Sequence, residues 1–434
     1  MNLVLLTNLK HIDVEVLRKL EELKYNVSVI KVSDFRPENI ARLLGDMEFD
    51  YAVIPGSSPY DYSNLHVRVV KGPISIYTLP YILSVVSIDN LSPKIHAEKV
   101  LGDKMKLIID RVYNEIIDSY TGTFTIGGLR IPKRPPPILV ASDIYYDGNI
   151  SVDSLVDEAN YRVSEGADFI VLSSNPSIDK VVYLKVLEAL MDNVEAAIAA
   201  DPGRIDTLIE AVEMGAPIAM SLTTSTLEYI PRHLRDVAAY VIIPERISSW
   251  RSRLGQLRKA YEKAVSLGYN MVIIDPIVNP PIYPGVLESF ITAREASKTI
   301  NAPLMLGLNN AIEMADIDTH ASTALLIYAA TEAGVSIVMV GEESYKARGN
   351  TREARIAAKL ASVSYKLKTP PKDLGYDILR LKGKGPAQNV EYLGHGLVDV
   401  NGLRIDCRRL EDHKYKHIEE DTQRKILEAC IPWI

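Results

Sequence analysis

Between residues 138 and 340 the chain alternates short, continuous apolar runs with longer stretches whose apolar positions recur at helical spacing. The runs at 138–142, 168–172, 196–200, 217–221, 239–243, 271–274, 303–306 and 336–340 lack the polar alternation of a strand with one wet face. Unbroken runs of this kind are what strands buried on both faces require. The stretches 153–165, 250–267 and 351–365 read as amphipathic helices. Gly166-Ala167, Gly215-Ala216 and Gly334-Val335 stand just before strands, where a glycine ends the preceding helix in left-handed backbone. Eight such units within about 230 residues predict an α/β fold of the (β/α)8 TIM barrel type. A doubly wound open sheet is the competing architecture.

The flanks follow other patterns. Strand-like runs at 2–6, 26–31, 50–54 and 73–77 alternate with helix-period stretches such as 13–23, which predicts an N-terminal Rossmann-like α/β domain with a parallel sheet. Its loop Pro55-Gly56-Ser57-Ser58-Pro59 has residues that let a backbone approach a phosphate, but it lacks G-x-G-x-x-G and G-x-x-x-x-G-K and reads as a plain turn. The triple proline of Lys133-Arg134-Pro135-Pro136-Pro137 predicts an extended linker. After Pro370, Asn401-Gly402 sits between alternating runs, a strong hairpin signal, and a helix is expected near 421–429. The expected domains are therefore 1–123 (N-terminal α/β), 124–137 (Pro-rich linker), 138–368 (barrel) and 369–434 (a small C-terminal α+β appendage).

Composition narrows the function more than the fold. A chain of 434 residues exceeds what one core usually spans, about 250–300. With 47% hydrophobic and 24% charged residues it is an ordinary globular sequence. A net charge of −7, with no Lys/Arg-dense tract, gives no field for nucleic acid. Cys407 and Cys430 are too few for a disulfide framework or a four-ligand metal site, and a reducing cytoplasm is the expected compartment. No basic start leads into an apolar run, and no stretch of about 18 apolar residues occurs, so neither export nor a membrane span is expected.

A TIM barrel does its chemistry at the carboxyl ends of its strands. Here those ends are polar: Ser142-Asp143, Ser173-Ser174-Asn175, Asp201, Ser221, Glu245, Asp275, Asn309-Asn310 and Gly341-Glu342-Glu343. A lone Asp after a strand is usually a helix cap, but here polar ends from most strands converge on one mouth. Asp201 and Asp275 each follow an apolar run and precede proline. A half-buried carboxylate there can accept two parallel hydrogen bonds from the N–H edge of a flat heterocycle. Lys346 and Arg348, beside a helix starting near Thr351, read either as an anion site or as a solvated pair. His320, in Asp318-Thr319-His320 at the start of an amphipathic helix, is expected at the surface. No metal or nucleophile constellation stands out.

At these residues the chain resembles the dihydropteroate synthase superfamily, and most closely the archaeal dihydropteroate synthase-related proteins. Ile138 through Asp147-Gly148 and Gly166-Ala167-Asp168 are similar to the first strand, first loop and second strand of the synthases. Asp201 and Asp275-Pro276 match the superfamily's pterin-contacting aspartates, and Gly307-Leu308-Asn309-Asn310 resembles a pterin-contacting Gly-Leu-Ser-Asn of corrinoid methyltransferases. The chain departs from the family at Ser221, which stands for an Asn, and at Ser174-Asn175-Pro176, which lacks the synthases' Arg. The resemblance implies a cytoplasmic pterin-binding transferase joining an arylamine to a pterin-methyl diphosphate, in folate-like or methanopterin-like cofactor synthesis. Asp201 and Asp275 would hold the ring, helped by Asp143, Ser174, Asn175, Ser221 and Asn309. Lys346 and Arg348 would meet the leaving diphosphate, with Mg2+ as the expected metal, and a homodimer fits the family. Its alternatives are methyl transfer from a methyl-tetrahydropterin to a corrinoid protein, with Asn310 at the pterin nitrogen, and a non-catalytic pterin-binding protein.

Overall fold

The computed structural model describes residues 1–247, 249–376, 390–394, 396–400 and 403–407, together with Thr422, Lys425, Ile426, Ala429 and Cys430. The chain divides into two compact units, Met1–Ser119 with Ser362–Asp377, and Tyr120–Ala361 with Ile378–Ile434.

In the first unit four parallel strands, β1 (Asn2–Thr7), β2 (Asn26–Lys31), β3 (Tyr51–Ile54) and β4 (Val69–Lys71), lie in the order β2-β1-β3-β4. The helix Val14–Glu22 starts where the Asp13 side chain accepts the Glu15 N–H, and it buries Val16 and Leu20. Val4, Leu6, Ile40, Leu44, Ala52 and Ile54 form the core of the unit. The fourth strand comes earlier than the expected 73–77, where Pro73 has no N–H for a ladder and Ile76–Thr78 is a 3-10 turn.

The second unit is the expected barrel. Its strands are β7 (Leu139–Tyr146), β8 (Phe169–Ser174), β9 (Ala197–Asp201), β10 (Ile218–Leu222), β11 (Ala239–Ile242), β12 (Val272–Ile274), β13 (Met305–Gly307) and β14 (Ile337–Gly341), numbered after a preceding hairpin. They pair in parallel in the order β12-β11-β10-β9-β8-β7-β14-β13, and a bridge from Ile274 to Leu304 joins the two ends. Two cores follow from the two-residue period of a strand. Ile138, Val140, Ile170, Leu172, Ile198 and Ala200 face the surrounding helices, while Leu139, Ala141, Phe169, Val171, Ala197 and Ala199 fill the barrel.

The stretch 124–137 is not an extended linker. Most of it belongs to a hairpin of β5 (Gly122–Ile126) and β6 (Leu129–Pro132), whose Ile131 is fully buried in the barrel's inner core. Phe124, Ile126 and Leu129 pack against the same core. The alternating polar positions of an antiparallel ribbon hide its apolar face from a search for long runs. Arg134 then ties the proline segment to the barrel, donating to the carbonyls of Ala302 at 2.7 Å and Ile300 at 3.0 Å.

Beyond the barrel, β15 (Val390–Gly394), β16 (Leu397–Val400) and β17 (Leu403–Asp406) form an antiparallel sheet. The hairpin expected here is present as β16 and β17, while Asn401 and Gly402 themselves, and most of the helix expected at 421–429, lie outside the described residues. Val398, Val400 and Ile405 pack with Tyr161, Ile426 and Ala429 around a Cys407–Cys430 disulfide. The two cysteines, too few for a framework, nonetheless make one bridge. Among the described residues no helix is long and apolar enough to cross a membrane.

Candidate functional site

The inner core ends at the carboxyl side of the barrel, and strand parity decides what comes next. Two residues beyond Ala141 is Asp143, beyond Val171 is Ser173, beyond Ala199 is Asp201, and beyond Ile273 is Asp275. The same step from Ile337 runs through Met339 and Gly341 to Glu343. Four carboxyl groups therefore point into one mouth from four strands.

Asp201, Asp275 and Asp143 are held by neighbouring groups. The Asp201 N–H donates to the Tyr183 hydroxyl at 3.0 Å, and that buried hydroxyl donates to the Leu172 carbonyl at 2.8 Å, tying the ends of β8 and β9 together. Asp275 Oδ1 accepts the Ile277 N–H at 2.7 Å. Ile277 has a φ of 64°, a conformation a β-branched residue adopts only when its surroundings impose it. Arg253, fully buried, supplies the other restraint by donating to the Ile277 carbonyl at 2.9 Å and the Pro276 carbonyl at 3.1 Å. Asn309 Nδ2 lies 3.4 Å from Asp143 Oδ2. A Cβ on Gly341 would stand 2.8 Å from both Asn309 Nδ2 and Glu343 Oε1, so glycine is what leaves room for these two side chains over β14.

Crowding four acids in a recess makes their charged forms costly. Burial pushes Asp201 up to about 7, with the Asp275 charge adding to it. Burial likewise raises Asp275 to about 7, against the Ile277 N–H and Arg253, which favour its ionised form. Asp143 stands at about 6 through burial and the neighbouring Asp201 charge. Glu343, whose carboxyl lies close over Gly341, is raised to about 7 by burial and by Asp143. Asn309 Oδ1 is buried with no hydrogen-bond partner within the protein, and a hydrogen bond from the Ser173 hydroxyl favours the ionised form of Asp143. Such a mouth suits a flat, N–H-rich molecule, whose donors meet the acids while its ring fills the recess.

Of the residues singled out in the sequence, Asp143, Asp201, Asp275 and Asn309 are brought together here. Ser221 is half-buried at a register shift between Met220 and Leu222. Ser174 shares the parity of Ile170 and Leu172, which face the helices, and Ser173 takes the inward position. Exposed Asn175 closes a turn by accepting the Ser177 N–H at 2.9 Å. Asn310, also exposed, donates to the Val278 carbonyl at 3.0 Å.

The expected anion site takes a different form. Lys346 is buried and donates to the carbonyls of Ile312, at 2.7 Å, and Ala315, binding a loop together. Arg348 lies against the Tyr345 ring, 5.4 Å from its centroid. The N-terminus of the helix Asn350–Leu367 already holds a carboxylate, because Glu342 accepts the N–H groups of Gly349 at 2.5 Å and Thr351 at 2.9 Å. Glu342 in turn pairs with buried Arg162 at 2.7 Å. His320 is also not at the surface; it is 3% exposed, with Nδ1 3.1 Å from Glu353 Oε1. Its helix has little amphipathic contrast, with Thr319, Thr323 and Thr331 buried on the face expected to be apolar. Glu343, Ser173 and Tyr183 complete the mouth; the first two stand among the polar strand ends read from the sequence without a role assigned to them, and Tyr183 does not. Parity from the inner core would have placed the first two in the mouth, while nothing local marks Tyr183. Among the described residues no three His, Cys, Asp or Glu side chains are grouped to hold a metal ion.

No protein-family model matches the chain. An uncharacterized protein of Methanocaldococcus jannaschii is 24% identical over 405 residues, covering 88% of this chain and 75% of that protein. Dihydropteroate synthase from Thermus thermophilus is similar in structure at 18% identity and a TM-score of 0.43, covering 54% of this chain and 96% of its own. The Vibrio fischeri 7,8-dihydropteroate synthase, at 13% identity and a TM-score of 0.45, covers 54% and 95%. The Yersinia pestis enzyme with a pterine-sulfa conjugate, at 15% identity and a TM-score of 0.45, covers 56% and 98%.

Proposed function

We propose that the barrel mouth binds the N–H edge of a pterin ring through Asp201 and Asp275, and that the protein is a transferase acting on the bound ring. The observation that carries this reading is the placement of those two carboxyls. They share one recess, face inward by strand parity, and are raised to about 7 by burial, so ring donors would repay the cost of ionising them. The resemblance at Asp201 and Asp275-Pro276 points to the same ring.

Two transfers are compatible with a pterin held in this way. In the synthase reaction an arylamine nitrogen forms a bond to the pterin's exocyclic methylene carbon as diphosphate leaves, and the departing charge needs cations. Lys346 is committed to two carbonyls and the helix N-terminus to Glu342, so of the two cations expected to meet the diphosphate Lys346 is already engaged. Any Mg2+ would arrive with the diphosphate. Methyl transfer from a tetrahydropterin nitrogen releases no such anion and is favoured by these commitments. The two are separated by incubating the protein with a pterin-methyl diphosphate, an arylamine and Mg2+. Amine-dependent diphosphate release selects the synthase; pterin binding without release supports methyl transfer or a binding role; no pterin binding overturns the proposal.

A further inference from the structure

The first unit carries a cavity that the barrel chemistry does not use. In an open parallel sheet, successive connections reverse direction at one point, and loops leaving neighbouring strands there part and open a crevice at the carboxyl ends. The order β2-β1-β3-β4 puts that point between β1 and β3. A cavity of about 330 Å3 opens there, walled by the residues that follow β1, β3 and β4 and by Lys368. The loops stand as close as their glycines allow. A Cβ on Gly56 would lie 2.6 Å from the Gly72 carbonyl oxygen, and one on Gly72 2.6 Å from Val53 Cγ1.

The lining has a consistent chemistry. Lys368 and His11 supply basic groups, Thr7, Ser57 and Tyr77 supply hydroxyls, and no Asp or Glu contributes, in a chain with 56 acidic and 49 basic residues. Lys368 Nζ donates to the Tyr77 hydroxyl at 2.7 Å and lies 4.2 Å from that ring's centroid, which fixes the ammonium at the cavity wall. Ile74 is among the apolar residues of the wall. We infer that this unit binds a small phosphate monoester with an aromatic or apolar body, its phosphate on Lys368 and Ser57 and its body against Tyr77 and Ile74. The volume is at the small end of ligand sites, which excludes a dinucleotide. The Pro55–Pro59 loop, read from sequence as a plain turn, is thereby assigned to the phosphate.

Calorimetric titration of the full chain with phenyl phosphate, inorganic phosphate and benzamidine tests the assignment. Phenyl phosphate is expected to bind saturably, phosphate more weakly and benzamidine not at all. Lys368→Glu and His11→Glu change exposed side chains, so the circular dichroism spectrum is expected to stay that of the parent while phenyl phosphate affinity drops at least about tenfold. In the unaltered protein, phenyl phosphate should slow acetylation of Lys368 as followed by mass spectrometry. Parental affinity in the Lys368→Glu variant, binding of benzamidine as tight as that of phenyl phosphate, or unprotected Lys368 would each overturn it.

Discussion

Asp201 and Asp275 owe their properties to position rather than to identity. Each is the first polar inward residue after an apolar strand, and each is raised from an ordinary 3.8 to about 7 by burial. A carboxyl whose folded value stands above its unfolded one stabilises the fold while protonated. That contribution is complete below about pH 4 and is lost as pH rises through about 7. The thermal midpoint should therefore decline over this window in the parent, and Asp201→Asn or Asp275→Asn should flatten the decline. Scanning calorimetry from pH 4 to 8 measures it, and superimposable profiles for parent and variants would contradict the burial argument. Lys346 offers a complementary case. Lys346→Met removes the donor from two loop carbonyls, with an expected loss of about 1–3 kcal/mol read from the urea midpoint. A lysine whose only task is to meet a ligand's phosphate would leave that midpoint unchanged.

The helix Asn350–Leu367 shows how an element can close a site that its type of fold often leaves open. Its first amides are satisfied by Glu342 rather than by a bound anion, and the negative charge of Glu342 is balanced by Arg162. Glu342→Gln leaves the buried Arg162 paired with Glu158 alone and weakens the acceptor at the helix start, and should cost about 1–3 kcal/mol, measured by denaturant unfolding. A cost under about 1 kcal/mol would mean that the pair is not structural. This arrangement also marks the limit of what was legible in the sequence. Continuous apolar runs placed all eight barrel strands, because burial on both faces leaves a pattern in every window. The β5–β6 hairpin was missed because half of its residues face outward, and because a triple proline nearby reads as a linker. Parity carried Asp143, Asp201 and Asp275 to the mouth, whereas the roles of Lys346 and Glu342 depend on carbonyls and amides that no side-chain pattern records. Ile131→Ala tests the place of this hairpin in the barrel's inner core. An inner-core truncation should cost about 2–5 kcal/mol, where a linker residue would cost almost nothing.

Taken as one molecule, the chain has a net charge of −7 that is distributed with local purpose. Acids gather in the barrel mouth, and the cavity of the N-terminal sheet has none in its lining. Two such sites would select ligands of opposite character, a donor-rich ring in one and an anion in the other. The central claim concerns the ring. Isothermal titration of a 6-hydroxymethylpterin into the parent, Asp201→Asn and Asp275→Asn proteins at pH 8, above the value of about 7 of both carboxyls, tests it most directly. The account predicts that each substitution weakens binding by about 1.5–3 kcal/mol, the range for hydrogen bonds to charged groups, with the fold intact by circular dichroism. Pterin affinity unchanged in both variants would contradict it.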